Sequence, residues 1–157
     1  MASELQIIEG IQDVIQTVTT HFAAADVVIN DWSILDQSAE NAPYFRLETS
    51  EEWASNHVLG TTEHATYTIV GYQIHRLANR NWDTVLNEVM TVRRAILDAF
   101  NTPGTGWTAG LDGVIVRRIR ANGTRQDIYE PYISESQIAE STPQFVSYPW
   151  AFEVETF

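Results

Sequence analysis

From His64 to Leu77 the chain reads HATYTIVGYQIHRL. Threonine, tyrosine, isoleucine and valine dominate it, and such side chains fit a pleated, partly buried surface better than a helix. The stretch therefore predicts one long strand, and its flanking segments decide the fold. Downstream, Asn81 or Asp83 can cap a helix whose apolar stripe is Trp82, Val85, Leu86, Val89, Val92, Ile96 and Phe100, at the three- and four-residue steps of one helix face. Pro103 and Gly104 stop it. The segment TGWTAGLDG (105–113) then reads as a glycine-rich loop, VIVRRIR (114–120) as a strand, and Asn122-Gly123 as a hairpin turn with RQDIYEPYI (125–133) returning.

The sequence closes on QFVSYPWAFEVETF (144–157). Its period of two places Val146, Tyr148, Trp150, Phe152 and Val154 on one face, the pattern of a half-buried strand. Pro149 has no N–H for a ladder, which predicts an edge position or a bulge. Upstream of the long strand, PYFRLE (43–48) and DVVIND (26–31) read as shorter strands. The acidic stretch TSEEWASNHVLGTTE (49–63) reads as a loop or hairpin tip. Ser3 and Gln6 have the spacing of a capping box. Behind them Leu5, Ile8, Ile11, Ile15, Val18 and Phe22 predict a first helix over about residues 4–23. Two helices and several strands without βαβ alternation predict an α+β fold, a mixed or mostly antiparallel β-sheet packed with two main α-helices. At 157 residues the chain fits a single domain spanning residues 1–157.

Charge narrows the function classes. The chain has 21 acidic residues against 9 basic ones, a formal net charge of −12, and every basic residue is an arginine. Nucleic-acid binding needs a basic footprint, which this balance argues against. A solvated acidic surface explains the excess, and so does a surface that passes close to another polyanion without adhering. With no cysteine, the chain can form neither disulfides nor thiolate metal sites. No apolar run approaches the roughly 20 residues that cross a bilayer, so no membrane partner is expected. MASELQIIEG lacks the features of a signal peptide, so synthesis in the cytoplasm is the default.

The catalytic inventory is poor. His21, His57, His64 and His75 lack metal-ligand spacing and read as surface or sheet histidines. The glycines at 104, 106, 110 and 113 come after a helix and precede a strand, the reverse of a phosphate-binding loop. The pairs Glu51-Glu52 and Glu153/Glu155 read as solvated faces. The expectation is no enzyme activity, no catalytic residue, no cofactor and no metal. The arginines are more suggestive. Arg93 and Arg94 lie on the second helix; Arg117, Arg118 and Arg120 lie on the strand after the loop, with Arg117 out of phase with the other two, so charge is predicted on both sheet faces. These arginines either balance an acidic chain in solvent or form bridges between subunits, for which the forked guanidinium suits carboxylates.

The layout, with its amphipathic first helix, YTIVGYQIHRL, NWDTVLNEVMTVRRAILDAF, DGVIVRRIR and YPWAFEVETF, resembles the tail terminator (tail completion) proteins of long-tailed bacteriophages and related tailed viruses. The resemblance covers most of the chain through weak motifs. It implies a non-catalytic virion protein at the head-proximal end of the tail. There a closed ring, usually a hexamer, ends tube polymerisation and joins tail to head. The implied partners are further copies of the chain, the tail tube protein and the head-closure or connector protein, with viral DNA crossing the lumen unbound. The expected contact residues are Arg93, Arg94, Arg117, Arg118, Glu51, Glu52, Trp107, Tyr148, Trp150 and Phe152. This chain departs from many members in lacking lysine and in its acidic segment at Glu51-Glu52. Two alternatives remain: a head-closure, connector or tail tube subunit of the same machine, and a small-ligand-binding domain that uses the glycine-rich loop and Trp107 as a lid.

Overall fold

A computed structural model describes residues 2–18, 20–22, 26–31, 43–49, 53–57, 63–103, 105–121, 123–129 and 143–157. The helices are α1 (Glu4–Gln16) and α2 (Trp82–Phe100). The strands are β1 (Val27–Ile29), β2 (Tyr44–Glu48), β3 (Trp53–His57), β4 (Glu63–Arg76), β5 (Val114–Arg120), β6 (Gln126–Ile128) and β7 (Phe145–Thr156). The architecture is α+β, with one mostly antiparallel sheet and both helices on one of its faces.

The expected capping box starts α1: the Ser3 Oγ accepts from the Gln6 N–H, and the Gln6 Oε1 accepts from the Ser3 N–H. The helix ends at Gln16, short of the expected residue 23. The next run, Thr17-Val18-Thr19-Thr20, is β-branched throughout and costs helix propensity at each step. The Thr17 hydroxyl also donates to the Val14 carbonyl at 2.6 Å, tightening the last turn. Val18 and Phe22 are still buried, so the apolar signal there was real although the helical geometry was not. Leu5 and Leu86, assigned to the two buried stripes, are exposed. Asn81 is the cap of α2, its side chain accepting from the Asp83 N–H at 2.9 Å.

Two long strands form the spine. β4 and β7 pair antiparallel from Thr66↔Glu155 to Arg76↔Phe145. Along the free side of β4 lie β2 and β3, end to end. Along the free side of β7 lie β5 and β6, also end to end. β1 adds to β2 in parallel. The segment 49–63, read as a loop or a hairpin tip, contains β3, which pairs antiparallel with the start of β4 as the hairpin alternative requires. One expectation fails here: β5 and β6 each pair with β7 and not with one another, so they form no hairpin, and Asn122 of the expected turn lies outside the described residues.

β7 is therefore an interior strand, and the edge position expected from Pro149 is wrong. The sheet accommodates the proline in another way. Pro149 stands in register with Tyr72 of β4, while on its other side the partner strand is broken between Arg120 and Gln126. A missing N–H costs least where no continuous ladder needs it. The Gly123 backbone lies so close to the proline ring that a Cβ there would fall 1.9 Å from the Pro149 Cγ.

The main core joins Ile7, Ile8, Ile11 and Ile15 of α1, Val92, Ile96 and Phe100 of α2, and Phe45, Leu47, Ile69, Trp150, Phe152 and Val154 of the sheet. The Trp150 and Phe152 rings stack at 5.8 Å, and Phe45 meets Trp150 edge-on at 5.8 Å. Gly71, in register with both Leu47 and Trp150, leaves the space that the Phe45 ring fills. A Cβ at Gly71 would lie 2.6 Å from the Phe45 Cε1. Because Phe45 is fully buried, it has no room to withdraw. Gly71→Val should lower stability by about 1–3 kcal/mol, the usual cost of overpacking. Urea denaturation followed by tryptophan fluorescence checks this, and an unchanged midpoint would contradict it.

Candidate functional site

Four features carry chemistry, beginning with the outer face of the sheet, away from the helices. The register of β5 on β7 slips between Val116 and Arg118, a β-bulge at Arg117. A bulge inserts one residue into the strand and re-aims the side chains beyond it. As a result Arg117, Arg118 and Arg120 share one face, against the expectation that charge would go to both. Arg117 Nε donates to the Glu155 Oε2 at 2.7 Å, and Arg120 pairs with Glu153. Arg117 also lies 5.5 Å from the Phe157 ring centroid. Arg118 is exposed and forms no ion pair among the described residues. Glu153 and Glu155, read as a solvated pair, are instead held by arginines.

On α2, Arg94 pairs with Asp98 one turn on, at 3.2 Å. Arg93 is half-buried and lies 5.5 Å from the Tyr148 ring centroid. Close by on this helix, Met90 is 53% exposed. Tyr148, Trp150 and Phe152, expected as contact residues, are buried within the chain's own core, so these side chains leave little surface for a neighbour. Trp107 is 39% exposed, on the turn before β5. Glu51 and Glu52 lie outside the described residues. The expected contact set is thus not one surface: Arg117 and Arg118 lie together, while Arg93 and Arg94 lie on α2.

The third feature is a groove of about 560 Å³ between α1 and the turn at 105–111. This glycine-rich segment folds into successive turns, closed by Gly106 N–H to Thr102 O at 3.1 Å and Gly110 N–H to Thr105 O at 3.0 Å. Ala109 and Gly110 both take positive φ, 48° and 70°. Such a conformation costs a non-glycine residue about 1–3 kcal/mol, and Ala109 keeps it while buried against α1. Gly10 permits that approach: a Cβ there would lie 2.6 Å from the Ala109 carbonyl oxygen. Glu9 and Asp13 of α1 form the acidic wall, and Val14, Ala99 and Ala109 contribute apolar lining.

The fourth is a buried polar chain that sequence reasoning missed. The Trp150 Nε1–H donates to Gln73 Oε1 at 3.1 Å. Gln73 Nε2 in turn donates to the Val89 carbonyl at 3.0 Å and reaches His75 Nε2 at 2.7 Å. His75 Nδ1 meets Glu88 Oε2 at 3.0 Å, and Arg80 Nη1 meets the same oxygen at 3.0 Å. The indole can only donate, so Gln73 presents its oxygen to Trp150 and its amide N–H groups to the other two. His75 Nε2 is then an acceptor and Nδ1 carries the proton, giving a neutral imidazole.

Burial lowers the His75 pKa below the ordinary 6.5; Glu88 opposes the shift through its hydrogen bond and charge, while Arg80 and Arg93 add to it. For Glu88, burial works to raise the pKa, but the bonds from His75 and Arg80 outweigh it and hold the carboxyl below its ordinary 4.5. The sign for stability comes from proton counts. Below pH 6.5 the unfolded chain protonates its histidine while the folded chain resists, so stability falls as pH falls from 6.5 towards the lowered folded value. Glu88 adds a further loss only below pH 4.5. Urea midpoints between pH 8 and pH 5 should therefore decline, and His75→Gln should flatten that decline. An identical slope in the variant would refute the assignment. With His75 fully buried, this chain of groups braces α2 against the sheet and does not face a substrate.

No cluster of histidine, aspartate and glutamate suited to a metal ion occurs among the described residues. No helix among them is long and apolar enough to cross a membrane. Compared with known proteins, the sequence matches no family model and no curated protein.

Proposed function

We propose that the chain is a structural subunit of a tailed-virus particle, a tail-terminator-like protein that assembles into a closed ring, most simply a hexamer, at the head-proximal end of the tail tube. In that role it ends tube growth and joins the tail to the head connector, while DNA crosses the lumen. The observation that carries the reading is the charge layout on a two-layer fold. Arginines 117 and 120 are matched to Glu155 and Glu153 on the outer sheet face, while the chain as a whole keeps a net charge of −12. Paired strips suit subunit packing, and the unpaired acidic excess suits a wall that repels nucleic acid. The order of elements, from an amphipathic helix to a long closing strand, supports the same reading.

The experiment is to add the purified protein to polymerising tail tube subunits and image the products. Tubes capped at one end and stopped in length are expected. Unaltered tube growth and bare ends would refute the role. The groove between α1 and the 105–111 turn favours a second reading, a binding domain for a small ligand, because its volume falls within the roughly 300–1,000 Å³ of such sites, although Trp107 does not line it. Thermal-shift screening against nucleotides and metabolites separates the two, since only the second reading expects saturable stabilisation.

A further inference from the structure

The groove between α1 and the 105–111 turn has an electrostatic cost written into one wall. Glu9 and Asp13 are exposed, sit one turn apart on α1, and have no ion pair among the described residues. Like charges at that spacing repel. Asp13 also stands near the C-terminal end of α1, where the helix dipole disfavours an anion, and the last turn of that helix has no basic residue. Beside the carboxylates, Val14, Ala99, Ala109 and Leu111 give the groove an apolar lining, interrupted by Gln6 and the threonines at 17, 102 and 105. An occupant matching this arrangement has an apolar stem and a cationic head, the build of an arginine side chain.

The chain itself supplies such a group. Arg117, Arg120 and Arg94 are engaged by Glu155, Glu153 and Asp98, Arg76 is half-buried, and Arg93 lies over Tyr148. Arg118 is exposed, with both neighbouring carboxylates already taken. It stands on the sheet face opposite α1, so it does not reach the groove of its own chain. We propose that the acidic groove receives Arg118 of a second copy of the chain. Two different surfaces are then joined head to tail, a heterologous contact that repeats around a ring when its rotation closes. The inference rests on the ring reading above and names the contact that would propagate it.

Charge reversal with rescue tests it. Particle mass is measured in solution for wild type, Arg118→Glu, the double variant Glu9→Arg with Asp13→Arg, and the chain carrying all three changes. Unfolding midpoints control for folding, and both acidic positions are exposed on a helix that tolerates arginine. The wild type should form a closed oligomer. Arg118→Glu and the groove double variant should each weaken association at least about tenfold, and the triple variant should recover it. Reversals that leave the oligomer intact, or losses that the triple variant does not restore, overturn this contact and leave the ring reading standing. A monomeric wild type that also adds no ring to isolated tails overturns both.

Discussion

Trp150→Ala should lower the stability of the isolated subunit by about 3–5 kcal/mol, the usual cost of deleting a large aromatic from a core. Trp150 is almost fully buried, stacks on Phe152, and meets Phe45. Its loss leaves a cavity between α1, α2 and the sheet, and leaves Gln73 Oε1 without its donor. An orphaned buried acceptor adds to the cavity cost, so the upper half of that range is expected. Arg118→Ala should by contrast change subunit stability by less than about 0.5 kcal/mol, because the side chain is exposed. Denaturant titration of both variants decides. Equal and small effects would mean that Trp150 is not held as described.

Gln73→Leu should cost about 2–4 kcal/mol even though leucine is similar in size and more hydrophobic. The amide bonds Trp150, Val89 and His75 at once, at a site with no access to water. Leucine would orphan the indole N–H and the acceptor nitrogen of His75, at about 1–3 kcal/mol each, partly offset by its own burial. A double variant with Trp150→Phe removes one of the two orphaned groups. It should therefore lose less stability than the sum of the single changes. Strict additivity would show that the Trp150–Gln73 bond contributes nothing.

Much of the fold was legible because it is written in local periodicity. The stripes of α1 and α2, the Ser3–Gln6 capping box and the alternation of β7 all depend on residues within a few positions of one another. The errors came where a distant segment decided the outcome. Asn122-Gly123 has the chemistry of a hairpin turn, yet Gly123 lies against the Pro149 ring and the strands on either side both pair with β7. Arg117 was assigned to the wrong face because parity assumes an unbroken register, and a bulge is invisible to parity. His75 was recognised as a sheet residue, but its partner Glu88 comes from a helix that packs across it. The groove likewise unites α1 with residues about a hundred positions later, so no short window of sequence contains it.

The burial of Trp150 and Phe152 also constrains the ring proposed above. A closing strand at the sheet edge could have carried apolar contacts between subunits, but β7 is interior and its apolar face is spent on the core. In the proposed ring, association would fall to the exposed surface, which includes Leu5, Met90, Trp107 and Phe157 together with the charged strip of β5. Exposed ion pairs give about 0–1 kcal/mol each, so in such a ring charge would set register while the apolar residues supplied most of the affinity. The central claim, that this chain closes into a ring, is tested most directly by electron microscopy of the purified protein with particle mass measured in parallel. The account predicts discrete rings of one size, most simply six copies, that do not lengthen with concentration. Monomers at every concentration, or open filaments that grow with it, would contradict the claim.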